Sequence, residues 1–228
     1  MKAGGSIRAK TEATTAGGGV ERSAPSRGRR HGGEVSGREA LLSAALTAFS
    51  RDGYNATSLR TLAASAGVDM ALVARLFGSK ANLWIAVVDH LAERQAAGCE
   101  QMAELAALAE RDPAEALRRF IRLFVQISYH VREAPAFIMQ ESGRPNERLD
   151  ILVERLVVPF RQASAPIIEA AIRARVVKAV HPEWFTRMMF CSISLPMASS
   201  ALSPDGSQMT PEMLAAIAEQ AIALFVNE

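Results

Sequence analysis

The sequence predicts an all-α chain, with three short helices near the N-terminus, a larger helical body after them, and about nine helices in all. Apolar residues recur at helical spacing from residue 36 onwards, and no alternating pattern of strand length interrupts them. Capping residues, glycines and prolines divide this pattern into pieces of helix length. The 228 residues are 49% hydrophobic, which is enough for one sizeable core or for a small and a larger one.

Composition excludes several classes of protein. The two cysteines, Cys99 and Cys191, form no C-x-x-C pair, so a disulfide scaffold and a compact zinc domain are excluded, and we expect no metal or cofactor. The N-terminus lacks the apolar stretch of a signal peptide. Serines and Pro196 interrupt the most apolar segment, 188–202, which falls short of the roughly 18 residues of a membrane span. We therefore expect a cytoplasmic protein without a membrane segment.

The charge is unevenly distributed along the chain. Residues 1–35 have a balance of +4, residues 36–85 of +2 and residues 86–228 of −4. The first segment also holds eight of the fifteen glycines and few large apolar residues, so we expect it to be a disordered basic tail. Its cluster at 27–31 could follow a phosphate backbone as an arm, or it could be a solvated tail or an over-extended translation start.

The first helices are bounded by recognisable signals. Ser36 and Glu39 have the spacing of a capping box, and Gly53 is suited to end the helix that follows. Thr57 or Ser58 can cap a second helix that stops at Gly67. Further caps are expected at Asp69, for a third helix ending near Phe77, and at Ser79, for a fourth.

Similar signals mark the beginnings and ends of helices in the body. Pro113 opens one helix, and a short helix is predicted over 135–141. A long apolar-periodic segment over 146–176 contains Pro159 and Pro166, which we expect to kink or break it. The dipeptides at 181–182 and 210–211 open the last two helices.

The helices within 38–77 form a helix-turn-helix pattern. Gly67 permits the sharp reversal, and Val68, Val73 and Phe77 can pack the third helix onto the first two. This leaves an outer face for a DNA major groove, made of Met70, Ala71, Leu72 and Arg75. The starts of the second and fourth helices would offer backbone donors to phosphates, at Thr57, Ser58, Ser79 and Lys80.

These residues resemble the DNA-binding domain of the tetracycline-repressor (TetR/AcrR) family. The resemblance covers 45 to 50 continuous residues and rests on the pattern Ala48-Phe49-x3-Gly53-Tyr54-x2-Thr57-Ser58-Leu59-x2-Leu62-Ala63-x2-Ala66-Gly67-Val68-x4-Val73-x3-Phe77-Gly78-Ser79-Lys80-x2-Leu83. It implies a homodimeric, ligand-responsive transcriptional regulator, usually a repressor, with a DNA-binding domain at 36–85 and an effector-binding and dimerisation domain at 86–228.

The chain departs from the family pattern at two positions. Ala74 stands where the family commonly has Tyr, and Leu76 where it commonly has His. Both usual residues would contact phosphates, so backbone anchoring here is expected to rely more on Lys80, Thr57, Ser58, Arg60 and the basic tail. The apolar edge formed by Met70, Ala71 and Leu72 suits thymine methyls. Arg75 is the candidate for a polar base contact, with a phosphate or solvent contact as the alternative.

Two further sets of residues are assigned in the body, both as alternatives to ordinary core packing. The candidate lining of an effector pocket is Phe120, Phe124, Ile127, His130, Phe137, Phe160 and Met188. The candidate dimer interface, expected because a palindromic operator needs two helix-turn-helix units, is Met189, Ile193, Met213, Ile217 and Leu224.

The main hypothesis is therefore a regulator that binds double-stranded DNA as a homodimer and responds to a small molecule. The alternative is an all-helical interaction or signalling module with a vestigial helix-turn-helix, which the two departures favour. A helical enzyme is a weaker option, because the four histidines are far apart and no G-x-S-x-G or phosphate-binding loop occurs. Cys99 and Cys191 could sense oxidants or serve as small apolar residues.

Overall fold

The computed structural model describes residues 30–143, 145–178, 181–198 and 209–227. These residues form nine helices and no strand, which confirms the predicted fold class. The first six helices are α1 (Arg30–Ala56), α2 (Leu59–Ala66), α3 (Met70–Leu76), α4 (Lys80–Ala109), α5 (Pro113–His130) and α6 (Ala134–Glu141). The last three are α7 (147–173), α8 (182–197) and α9 (Pro211–Phe225).

Both α7 and α8 contain a π-helical turn, over Val153–Val157 and Phe190–Ser194. Each of these turns ends two residues before a proline, Pro159 in α7 and Pro196 in α8. Proline has no N–H and its ring collides with the carbonyl four residues earlier, so the wider turn relieves a clash that an α-helix would retain. The predicted break at Pro159 is thus a local widening, and α7 also continues through Pro166 to Arg173.

The predicted caps are mostly present. Ser58 rather than Thr57 caps α2, Asp69 caps α3 and Ser79 caps α4, each accepting a hydrogen bond from the backbone N–H three residues later. Gly67 has φ 65° and ψ 29°, the left-handed conformation that lets the chain reverse between α2 and α3. Asp112 caps α5, whose first residue is Pro113.

The first helix differs from the prediction at its start, whereas Gly53 interrupts it near its end, as expected. It begins at Arg30 rather than at Ser36, so Ser36 lies inside the helix and is not its N-cap. At the other end, Gly53 interrupts the helical conformation with φ 78° and ψ 170°, and a last turn continues to Ala56. Of the predicted disordered tail, residues 1–29 lie outside the described part of the chain.

One continuous apolar core runs through the described residues, from Leu41 in α1 to Val226 after α9. In the N-terminal part, α1 packs against α2, α3 and α4. In the body, α4 packs against α5 and α7, α8 against α7, and α9 against α5. Because α4 is unbroken through residue 85, the predicted boundary between the two domains falls inside a helix that belongs to both.

No single described helix is long and apolar enough to cross a membrane. The helices α3 and α4 reach that length and composition only when they are taken together, and they are bent by 67° at the break between them.

The close contact between α4 and α5 depends on Gly98. A Cβ atom at this position would lie 2.4 Å from Cδ1 and 2.5 Å from Cγ1 of Ile127. Overpacking of this kind costs about 1–3 kcal/mol, and the better helix propensity of alanine returns up to about 1 kcal/mol. We therefore expect Gly98→Ala to lower the free energy of unfolding by about 1–2 kcal/mol in urea denaturation.

The matched control is Gly143→Ala, where no described heavy atom lies within 4 Å of the added Cβ atom. Its free energy of unfolding should stay within about 0.5 kcal/mol of the parent. Equal stability of Gly98→Ala and the parent protein would contradict the close helix packing.

Candidate functional site

The helix-turn-helix presents one edge of α3 to solvent. Val73 is buried against the other helices, whereas Met70, Ala71, Ala74 and Arg75 are exposed. Leu72 is half-buried because its side chain packs on Gly37 of α1, where a Cβ atom would lie 2.8 Å from Leu72 Cδ2. The exposed edge is therefore small and mostly apolar, with Arg75 as its cationic residue.

The starts of α2 and α4 flank this edge with exposed serine caps. Ser58 Oγ accepts from Thr61 N at 3.1 Å and Ser79 Oγ accepts from Asn82 N at 3.1 Å. The backbone N–H groups at a helix start favour anions such as phosphate. Arg60, also exposed, adds a positive charge near the start of α2.

Thr57 and Lys80 face inward, which their sequence pattern does not reveal. Thr57 is only 6% exposed, and its hydroxyl donates to the carbonyl of Gly53 at 2.8 Å. The Lys80 ammonium donates to the carbonyls of Tyr54 and Thr57, both at 2.9 Å, and lies 4.3 Å from the centre of the Tyr54 ring. In this structure Lys80 ties the start of α4 to the end of α1.

A polar network continues from Tyr54 into the body. The Arg148 guanidinium lies 4.2 Å from the centre of the Tyr54 ring, and its Nε donates to Glu141 Oε2 at 3.0 Å. Glu141 is 5% exposed and belongs to α6. Near it, Gln140 Nε2 donates to the carbonyl of Arg51 at 3.1 Å. The α6 helix is thus bonded directly to the end of α1.

The opposite side of α6 borders a cavity of about 530 Å³. The cavity lies between α5, α6, α7 and α8, and α4 contributes Gln95. Both π-helical turns supply wall residues, among them Leu156 in α7 and Phe190 in α8. Volumes of about 300–1,000 Å³ with mostly apolar walls are typical of small-molecule sites.

The structure brings together only part of the predicted pocket lining. Phe124, Ile127 and Phe160 line the cavity. Phe120 lies behind them, with its ring centre 6.2 Å from that of Phe124. Phe137 is instead buried against Trp84, and His130 is exposed with Nδ1 2.7 Å from the carbonyl oxygen of Gln126. Met188 is exposed and does not border the cavity.

The sequence interpretation missed other residues of the cavity. These include Pro135 and Ile138 of α6, Arg161 of α7, and Trp184 and Cys191 of α8. The signal available was the predicted helix over 135–141, whose first five residues are all apolar, so the pattern does not show which face borders a cavity.

A second, smaller groove of about 260 Å³ lies between α8 and α9. Of the predicted interface residues, Ile193, Ile217 and Leu224 border it, and Leu224 is 77% exposed. Met213 lies on the same helix and is partly exposed, whereas Met189 is fully buried in the core.

The titratable side chains of the described residues are relevant here as candidate metal ligands and as candidate reactive thiols. No group of three or more His, Cys, Asp or Glu side chains there could hold a metal ion. Burial raises the pKa of the Cys99 thiol, which lowers the thiolate fraction and with it the reactivity. Cys191 is exposed at the cavity.

Comparison with known proteins gives a consistent result. Residues 41–87 match the family described as bacterial regulatory proteins, tetR family. The transcriptional regulator RutR of Escherichia coli K12 is 28% identical over 167 residues, which are 72% of this chain and 76% of RutR. The dual regulator CecR of Shigella flexneri is 28% identical over 144 residues, which are 58% of this chain and 63% of CecR. The chain thus spans less than two thirds of the length of CecR.

The fold is also found in solved structures. The transcriptional regulator FadR from Bacillus subtilis, crystallised with stearoyl-CoA, has a TM-score of 0.56 and 16% identity, covering 82% of this chain and 96% of FadR. At this identity the likeness shows the fold.

Two substitutions separate the structural role of Lys80 from a phosphate contact. Lys80→Met removes the ammonium and leaves two partly buried carbonyls without their donor, which costs about 1–3 kcal/mol. We expect the free energy of unfolding to fall by that amount. DNA binding should weaken as well, because the DNA-binding domain is less stable. The slope of log K against log salt should not change, because the ammonium faces inward.

Arg60→Met is the matched comparison. Loss of one phosphate contact would lower the salt slope by about 0.9 with little change in stability. A lowered salt slope in Lys80→Met with unchanged unfolding would contradict the inward role of Lys80. Denaturant unfolding and fluorescence anisotropy at several salt concentrations measure both quantities.

Proposed function

Since the chain belongs to the TetR family of bacterial regulatory proteins, we propose that it is a dimeric repressor that a small-molecule effector releases from a palindromic operator. The observation that carries this proposal is the exposed edge of α3 on a helix-turn-helix into which the opposite side of α3 packs through buried Val73. The protein would act in the cytoplasm and catalyse no reaction.

In this proposal α3 enters the major groove of double-stranded DNA. Met70 and Ala71 would contact thymine methyls, with Leu72 touching the base edges only through its exposed part. Arg75 would donate to a base, with guanine as the preferred partner. Ser58, Arg60 and Ser79 would position the domain on the phosphates, and Thr57 and Lys80 would support them from inside the domain.

The effector would act through α6. Pro135 and Ile138 border the cavity, while Phe137, Gln140 and Glu141 on the same helix connect to the DNA-binding domain. A ligand that fits one position of α6 better than another therefore changes the position of α1. The effector must bind the DNA-incompetent arrangement more tightly, since equal affinity for both shifts nothing.

A second copy of the chain would cover the faces of α8 and α9. Leu224 and Met213 leave apolar surface exposed beside the groove between these helices. An operator with two half-sites needs two α3 helices at a fixed spacing, which only a dimer provides. FadR, which has the same fold, was crystallised in complex with stearoyl-CoA, which supports the view that a protein of this fold can bind a small molecule.

The alternative function is an interaction module that no longer reads DNA. Its support is the short side chain of Ala74 and the half-buried position of Leu76, where the resemblance leads us to expect two phosphate-contacting residues. The two hypotheses differ in one measurable property, which is specific binding to DNA.

The test is fluorescence anisotropy with DNA from immediately upstream of the protein's own gene. We expect tight, salt-sensitive binding that survives an excess of random DNA. Arg75→Ala should lower the affinity by about 1–3 kcal/mol and relax discrimination at one base pair of each half-site. Arg111→Ala, which removes an exposed arginine between α4 and α5, serves as the control. Unchanged operator binding in Arg75→Ala would contradict the base contact, and parent binding no tighter than to random DNA would favour the interaction module.

The dimer is tested by placing a charge on the apolar face of α9. Leu224→Glu should convert the dimer to a monomer in sedimentation equilibrium, because a buried carboxylate without a partner is strongly unfavourable. Ala215→Glu is the control, since Ala215 is exposed nine residues earlier, on the opposite side of the helix. A dimer that survives Leu224→Glu would show that this face is not the interface.

A further inference from the structure

The cavity beside α6 has an apolar interior and a charged mouth. Its interior polar groups are already engaged, since Ser128 Oγ and Ser194 Oγ are 2.7 Å apart and Gln95 Nε2 donates to the carbonyl of Leu156 at 2.9 Å. The remaining inner walls are apolar side chains such as Phe124, Ile127 and Phe160. A ligand that fills this interior therefore needs an apolar body.

Three charged residues border the same cavity, namely Arg161, Glu183 and Arg187. The Arg187 guanidinium is paired with Glu183, its Nη2 lying 2.8 Å from Oε1. Among the described residues, the Arg161 guanidinium has no ion-pair or hydrogen-bond partner. Because Glu183 and Arg187 neutralise each other, the cavity carries a net charge of +1 that comes from Arg161.

A guanidinium beside an apolar volume favours a molecule with an apolar body and an anionic head group. Its planar set of N–H donors matches a carboxylate or a phosphate in a two-bond geometry. An apolar wall on one side lowers the effective dielectric and strengthens this attraction relative to a charge in open solvent. A cationic or neutral head group would leave the Arg161 charge unpaired at the edge of the ligand.

We propose that the effector is an anionic amphipath, an aliphatic chain that fills the cavity and ends in a carboxylate or phosphate bound by Arg161. This inference rests on the proposed effector role of the cavity and adds its chemical class. At about 30 Å³ for each heavy atom, the liquid volume of one water molecule, 530 Å³ holds about 15 to 18 heavy atoms. A ten-carbon chain with its head group is within that size.

The test compares four probes of equal chain length by isothermal titration calorimetry on the full chain. The probes are decanoate, decyl phosphate, decanol and decylamine, each below its aggregation concentration. We expect decanoate or decyl phosphate to bind at least about tenfold more tightly than decanol, and decylamine more weakly still. The ratio of decanoate to decyl phosphate identifies which anion is preferred.

The matched variants are Arg161→Gln, which removes the charge at the cavity, and Arg111→Gln, which removes an exposed arginine elsewhere. Arg161→Gln should weaken binding of the preferred anion by about 10- to 100-fold and leave decanol unchanged, because a hydrogen bond between charged groups is lost. Arg111→Gln should bind all four probes like the parent.

Three results would overturn the inference: no binding of either anion, decanol binding as tightly as the anions, or an Arg161→Gln variant that retains anion affinity. Operator release is measured separately, by adding the same probes to the protein–DNA complex in the anisotropy assay. Anion binding without release would sustain the ligand class and count against the repressor mechanism. Specific DNA binding without any anion binding would support the DNA-binding function and contradict the proposed ligand class.

Discussion

Three buried aromatic rings join the DNA-binding domain to the body, and the rest of the structure depends on this contact. Phe137 of α6 lies 5.4 Å from Trp84 of α4 and 6.5 Å from Phe49 of α1, measured between ring centres. Each of the three side chains is at most 1% exposed. A buried ring of this kind contributes about 3–5 kcal/mol relative to alanine, whereas one exposed polar bond contributes about 1 kcal/mol. The rings therefore hold the two parts together, and the polar bonds around them set the relative orientation.

This junction is well packed but not fully satisfied. Trp84 Nε1 is buried and has no hydrogen-bond partner among the described residues. A buried donor without a partner costs about 1–3 kcal/mol, so an arrangement that supplied one would recover part of that energy. The bonds from Gln140 to Arg51 and from Glu141 through Arg148 to Tyr54 lie on the same helix as Phe137. A small displacement of α6 thus changes several contacts of α1 at once, which is what a two-state response between distant sites requires.

Local signals in the sequence predict the N-terminal domain well and the body less well. The caps at Ser58, Asp69 and Ser79 and the left-handed Gly67 are local features, because each depends on bonds within a few residues. The inward position of Lys80 could not be predicted in this way, since its acceptors are 23 and 26 residues away. The predicted lining of the pocket was partly wrong for a related reason. Phe120 and Phe124 lie one turn apart on α5 and look equivalent in the sequence, yet only Phe124 reaches the cavity, because α7 and α8 decide where the space is.

Two of the helices that border this space, α7 and α8, are not regular. In each, the N–H after the π-helical turn bonds the carbonyl five residues back, Val158 to Val153 in α7 and Leu195 to Phe190 in α8. A π-helical turn adds one residue to the turn and shifts the side chains after it around the axis by about 100°. The carbonyl of Leu156 is then available to Gln95, and Ser194 reaches Ser128. Both turns stand two residues before prolines that an α-helix would accommodate poorly, and both turns supply residues to the walls of the cavity.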